Sequence, residues 1–258
     1  MLRMFDLFRN RRRRRILARQ AIPDAIWNGV VEQLPVLARR DPSTVQRLRE
    51  LALLFLHEKR IEPAGGLVLD DAMRVRIAAL ACLPILELGF DSYNGVLSVI
   101  VYPDEFIVPN REHVDDAGVV HVGDDVLSGE AWEQGPVVLA WKDVADSGRG
   151  EGFNVVVHEF AHKLDLLGGE MDGMPPLHRD MRTADWIGAF QSAYDDLRSR
   201  LDRGEEPWLD PYAAEEPAEF FAVCTEMFFD VPDEFRAEYP ALYVQLREFF
   251  RQDTAGTG

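Results

Sequence analysis

The segment from Asn154 to Asp165 contains His158-Glu159-Phe160-Ala161-His162, a His-Glu-x-x-His arrangement set in an apolar run that predicts a buried helix. Residues four apart on a helix share a face, so His158 and His162 can offer two imidazole nitrogens to one metal ion with Glu159 beside them. Zinc accepts imidazole nitrogen readily. In catalytic sites it keeps one position for water, whose acidity it raises until a neighbouring carboxylate can take the proton. The chemistry implied is metal-assisted hydrolysis. The plain alternative is a pair of core histidines that fall four apart by accident, and a third ligand is what separates the two readings.

The extended pattern His-Glu-x-x-His-x-x-Gly-x-x-His is excluded, because Asp165 and Gly168 occupy the positions where it needs Gly and His. His113, His121 and His178 are isolated candidates in loops or at strand edges, where a surface or structural role is the ordinary one. Carboxylates are more persuasive. Glu219 and Glu226 stand seven apart on one face of the very apolar segment Pro217–Phe229, which predicts a helix. A buried carboxylate needs a positive partner, and zinc would supply one. Alternatively both acids lie on a solvated stripe while the aromatic residues face the core. Glu219, in the first turn after Pro217, can reach a neighbouring helix; Glu226 would orient a ligand histidine or lie at the surface. Asp165, one turn beyond His162, reads as a hydrogen-bond acceptor behind the site or as a helix C-terminal residue, with no catalytic role.

These residues need a scaffold, and 258 residues, 47% of them hydrophobic, are enough to bury a full core. No apolar run approaches the roughly 18 to 20 residues that span a bilayer. The net charge of -17 disfavours nucleic acid as a general partner. The exception is the first twenty residues, where Arg3, Arg9, Arg11 to Arg15 and Arg19 face the single acid Asp6. This basic start reads as a mobile solvated arm ahead of a contact for an acidic surface or a targeting segment, and it lacks the apolar stretch of a secretory signal. Cys82 and Cys224 read as buried inert thiols, which points to a reducing cytoplasm.

Helical periodicity covers residues 22–40, with a break or kink at Pro35, then 43–60, and then a segment capped at Asp70-Asp71 that runs to about Leu88, with Gly89 as its stop. Four β-rich runs follow: Val96–Tyr102, Phe106–Val108, Val119–Val122 and Pro136–Trp141. Turn residues between them suggest a small, mostly antiparallel sheet. The strand ending at Trp141 is a candidate edge for an extended peptide. Further helices are expected over 186–203, 217–230 and 233–252. The whole is an α+β fold with an N-terminal helical part of about 21–90, a catalytic part of about 91–252, and flanking segments 1–20 and 253–258, the latter a flexible tail.

At this point a resemblance becomes specific. His158 to Asp165, Asp210-Pro211-Tyr212-Ala213-Ala214 and Pro217 to Val223 resemble the Mlc titration factor A family of bacterial zinc peptidases. The likeness extends through Cys82 to Gly89, Ile100 to Pro103 and Gln134 to Trp141, over roughly residues 45 to 252. It implies a mainly helical, zincin-like fold similar to the catalytic domain of anthrax lethal factor, with a small mixed or antiparallel sheet. It further implies that His158, His162 and Glu219 bind one zinc ion per chain, that Glu159 is the general base, and that Tyr212 stabilises the oxyanion. Peptide substrates, aminopeptidase activity and binding of an Mlc-like glucose repressor, with control of sugar phosphotransferase genes, are implied as well. The rival is a non-catalytic, repressor-sequestering protein with a structural metal site. The Arg11–Arg15 run lies outside the shared pattern, and residues 168–184 match it poorly.

Overall fold

Proline sets many of the helix starts. In the computed structural model, which describes residues 2–104, 106–114, 120–127, 129–131 and 135–256 (for 2–7 and 106–131 the backbone alone), α1 (Leu2–Arg19) and α2 (Asp24–Glu32) precede α3 (Pro35–Ala38) and α4 (Pro42–Glu58). Pro35 and Pro42 open their helices, where a missing N–H costs nothing. Pro35 therefore begins a helix instead of kinking one. After β1 (Arg60–Pro63) comes α5 (Asp71–Cys82), whose first turn is capped by the Asp70 carboxylate accepting the Met73 N–H. It stops at Cys82, short of Leu88, because Pro84 cannot supply the next turn's donor.

The strands are β2 (Ser98–Tyr102), β3 (Phe106–Val114), β4 (Val120–Leu127), β5 (Gly129–Ala131) and β6 (Val137–Ala140). The sheet order is β1-β2-β6-β5. β1, β2 and β6 run parallel, and β5 lies antiparallel on β6. The sheet is thus mixed, and the expectation of mostly antiparallel pairing holds for β5 on β6 and for the separate β3–β4 ladder. One of the two parallel pairs involves β1, a four-residue strand with two charges and a proline that has no strand-like pattern. The chain passes from β1 through α5 to β2, the kind of crossover that parallel pairing needs. β6 is paired on both sides, so the segment ending at Trp141 is not an open edge.

The remaining helices are α6 (Trp141–Asp146), α7 (Val155–Asp165), α8 (Thr183–Asp202), α9 (Pro217–Asp230), α10 (Pro232–Glu238) and α11 (Pro240–Phe250). The stretch 233–252 is two helices because Pro240 restarts the chain. One continuous hydrophobic core runs from Ile22 to Ala255, taking in Leu37, Phe55, Ile77, Val99, Leu139, Phe160, Phe221 and Phe250. The segment expected to be a mobile arm is helical, and the buried Arg13 holds it: its guanidinium donates to both oxygens of Glu58 at 3.0 Å and to Asp91, and lies over the Phe90 ring. At the other terminus the Tyr243 hydroxyl accepts the N–H groups of Thr254 and Ala255, so the tail expected to be flexible is pinned through Ala255. Both cysteines are buried free thiols, and no helix among the described residues is long and apolar enough to cross a membrane.

Candidate metal centre

Helix α7 has a chemical face and a packing face. The Asn154 side chain caps it by accepting the Val157 N–H at 3.1 Å. Phe160, halfway between the two histidines, points the other way. Its ring packs 5.6 Å from Phe55 and 4.9 Å from Tyr93. Burying such a ring contributes roughly 2–3 kcal/mol, which seats the helix and fixes where His158 and His162 point. A 3-10 turn over Leu166–Gly168 and the left-handed Gly169 (φ 109°) end it.

Helix α9 packs against α7 and brings Glu219 to the histidines. His158 Nε2 lies 3.0 Å from Glu219 Oε2 and 3.2 Å from His162 Nε2, and His162 Nε2 lies 3.4 Å from the same oxygen. All three residues are buried, and they form the one group of potential metal-holding side chains among the described residues. The bond lengths of a tetrahedral zinc site, about 2.0–2.1 Å, place its ligand atoms about 3.3–3.4 Å apart. The three observed separations therefore fit such an ion.

Glu226 decides what His158 can offer. One of its oxygens lies 2.8 Å from His158 Nδ1, and the other accepts the Asn154 N–H at 2.6 Å. With Nδ1–H donated to Glu226, neutral His158 turns a lone pair on Nε2 toward a carboxylate oxygen and a second imidazole. Three electron-rich atoms facing one another require a cation between them. Without a metal, a proton answers the same demand. Burial opposes charge on His158, but its hydrogen bonds to Glu219 and Glu226 prevail and hold its pKa well above the usual histidine value. Burial likewise opposes ionisation of Glu219, yet the two histidines hold its pKa well below the carboxylate range. The acids are not on a solvated stripe: the side chains of Glu219 and Glu226 are only 12% and 8% exposed.

Glu159 is buried beside His158. One turn on, the buried Lys163 ammonium lies 3.3 Å from the Gly135 carbonyl; burial lowers its pKa, with the Glu159 charge working against that shift. Tyr212 sits in a short 3-10 turn, Pro211–Ala214, fixed where its N–H meets the Asp210 carboxylate at 2.9 Å. It is 40% exposed, with its ring centroid 6.1 Å from that of His158. Partial burial, and then the Glu219 carboxylate, raise the pKa of its phenol, keeping it a proton donor. Glu159, Tyr212 and the three-residue cluster therefore share one site.

His178 stands apart from it: its Nε2 meets the Phe249 carbonyl at 2.8 Å, a structural tie. His113 and His121 pair across the β3–β4 ladder, and their side chains lie outside the described residues. Two supporting residues escaped the sequence reading. Asn154 had a recognisable signal, a polar cap before an apolar run. Gly173 had none beyond belonging to a Gly- and Pro-rich loop. Its φ is +79°, a Cβ there would come within 2.6 Å of the Pro217 carbonyl oxygen, and its N–H donates to the buried Asp165 carboxylate at 2.8 Å. Burial raises the Asp165 pKa to about 6, with the Gly173 hydrogen bond opposing.

Comparison with known proteins points to a metallopeptidase family. Residues 8–251 match the family described as glucose-regulated metallo-peptidase M90. The protein called Mlc titration factor A from Escherichia fergusonii is 41% identical over 222 residues, covering 85% of this chain and 83% of that one. Its namesake from Yersinia pestis (strain Pestoides F) is 42% identical over 233 residues, covering 89% and 85%.

Proposed function

The chain belongs to the glucose-regulated metallo-peptidase M90 family, and from that premise we propose that it is a zinc-dependent peptidase with aminopeptidase activity. His158, His162 and Glu219 would hold one zinc ion per chain. The observation that carries this reading is the convergence of their three donor atoms at 3.0 to 3.4 Å, with the outer nitrogen of His158 engaged by Glu226. When bound, such an ion supplies Lewis acidity to the scissile carbonyl and to an attacking water. Glu159 takes the proton from that water and returns it to the leaving amine. The Tyr212 hydroxyl donates to the oxygen that gains charge as the carbonyl becomes tetrahedral. Among the described residues no fourth His, Cys, Asp or Glu joins the three, which favours a catalytic over a structural centre.

The test is hydrolysis of chromogenic aminoacyl and short-peptide substrates with and without a chelator. Chelation should abolish turnover and added zinc restore it. Glu159→Gln should lower kcat by about 10²–10⁴-fold, the range for loss of a general base, while zinc still binds at one per chain. Activity that survives both changes would overturn the mechanism.

The relatives' name supports a second reading, that the protein sequesters an Mlc-like repressor in the cytoplasm and thereby acts on sugar phosphotransferase genes. Glu159→Gln separates the roles. Repressor binding by this variant without hydrolysis assigns a function independent of catalysis, and failure of the wild-type protein to bind such a repressor removes that role.

A further inference from the structure

A chain with 45 acidic and 28 basic residues has carboxylates available for its arginines, and the body of the protein uses them. Arg47, Arg49, Arg200, Arg203, Arg236 and Arg251 all form ion pairs. Helix α1 departs from this. Its inner face is anchored by Arg9 and Arg13, which pair with Asp91 and with Glu58 and Asp91, and by the partly buried Ile16 and Leu17. On the other side Arg11, Arg12, Arg14, Arg15 and Arg19 are exposed, and none has a carboxylate partner among the described residues.

Phe8 stands three and four residues before Arg11 and Arg12, these stand four and three before Arg15, and Arg19 follows Arg15 by four, which puts all five on one stripe. Phe8 heads the stripe and is 63% exposed. A free arm of this composition would fold back onto the acidic body and neutralise itself. Because α1 is docked through Arg13, the stripe is presented outward instead, and its charges stay available to a polyanion. A duplex nucleic acid makes little use of an aromatic residue at the head of a cationic stripe, and it would also approach the acidic body. A planar bilayer can meet the exposed arginine face of α1 from the side opposite Glu58 and Asp91, with the width of the helix between those acids and the headgroups.

We propose that α1 docks the protein peripherally on anionic lipid bilayers, with the stripe arginines on headgroup phosphates and Phe8 at the acyl boundary. The test is co-sedimentation of the full chain with vesicles of phosphatidylcholine alone or with about one-third phosphatidylglycerol, a fraction that gives a strongly negative surface. Binding should require the anionic lipid and weaken steeply with salt. Each stripe arginine is expected to add roughly five-fold to partitioning, so changing Arg11, Arg12, Arg15 and Arg19 together to Gln should lower it by about several hundred-fold. These four are the stripe's own; Arg9 and Arg13 are left intact, so the variant's denaturation midpoint should match that of wild type. Phe8→Ser, which touches no ion pair, should lower partitioning by roughly ten-fold through lost apolar contact. Equal binding to both vesicle types, or binding unchanged by the quadruple variant or, should that variant not fold, by salt and Phe8→Ser, would overturn the proposal. So would arginine-dependent binding to duplex DNA or RNA that exceeds binding to the vesicles.

Discussion

Helices α7 and α9 meet at one site but are held by different means. α7 carries its cap and both histidines in one local stretch: Asn154 caps it and His158 and His162 stand four apart, while Phe160 seats it against the distant Phe55 and Tyr93. α9 is positioned by partners far along the chain. Gly173 abuts the Pro217 carbonyl at its start, and Glu226 reaches Asn154 and His158 from its middle. At its end the Asp230 carboxylate accepts the Gly152 N–H, and Arg39 donates to the carbonyls of Phe229 and Asp230. One helix carries a local code, and the other carries donors whose placement depends on the folded whole.

That contrast orders the expected effects. The largest should come from unseating α7. Phe160→Ala removes a fully buried ring between Phe55 and Tyr93, and a cavity of that kind costs about 3–5 kcal/mol. The denaturation midpoint should fall accordingly, and Phe160→Leu should recover much of the loss. A midpoint unchanged by Phe160→Ala would mean that the packing face of α7 does not hold the site.

The same contrast explains what the sequence made legible. α7 and α9 were readable because a buried helix bearing charge has a strong pattern, and α9 starts at Pro217 as that pattern requires. The role of Glu226 stayed open between orienting a histidine and lying at the surface. Helical periodicity says which residues share a face, whereas only packing says whether that face is wet. β1 is illegible in the sequence because four residues with two charges borrow their strand character from β2. The two helices after Pro232 look like one in the sequence because α11 continues the apolar pattern past Pro240. The anchoring of α1 was invisible because one arginine in a run of five reaches Glu58 and Asp91 while its neighbours are exposed.

The next effect falls on the link between the two helices. Glu226 accepts from both the Asn154 N–H and His158 Nδ1–H, and a Gln there has only one acceptor oxygen. If the amide nitrogen faces His158, the imidazole proton moves to Nε2 and blocks the lone pair aimed at Glu219. If it faces Asn154, two donors collide. Glu226→Gln should therefore weaken zinc binding by about 10–100-fold, the usual effect of losing a partner behind a metal ligand. Competition with a chromogenic chelator measures it, and an unchanged affinity would separate Glu226 from the centre. A smaller effect belongs to the outer end of α9. Gly173→Ala introduces a side chain at φ +79° against the Pro217 carbonyl, costing about 1–2 kcal/mol for the left-handed backbone plus the shift of Pro217. Zinc affinity should fall with it, because Pro217 opens the turn that carries Glu219.

The smallest expected effect concerns Asp165, which joins the end of α7 to the Gly173 loop. Burial raises its pKa from 3.8 to about 6 in the folded protein. Below about pH 3.8 both folded and unfolded chains hold the proton, and the group has no influence on stability. Between that value and about 6 the folded chain keeps a proton that the unfolded chain has released, so stability declines as pH rises. Above about 6 the carboxylate is ionised in both states, and the full penalty remains. Taken whole, the displacement corresponds to about 3 kcal/mol, and local opening at this helix end reduces the realised effect to about 1 kcal/mol. Asp165→Asn keeps an oxygen for the Gly173 N–H and removes the ionisation. In metal-free protein it should therefore gain stability relative to wild type as pH rises from 4 to 7, by about that amount. A gap between the two denaturation midpoints that stays constant across this range would show that the Asp165 charge is already matched inside the fold, and that the α7 end of the site, like α9, depends on a partner from elsewhere in the chain.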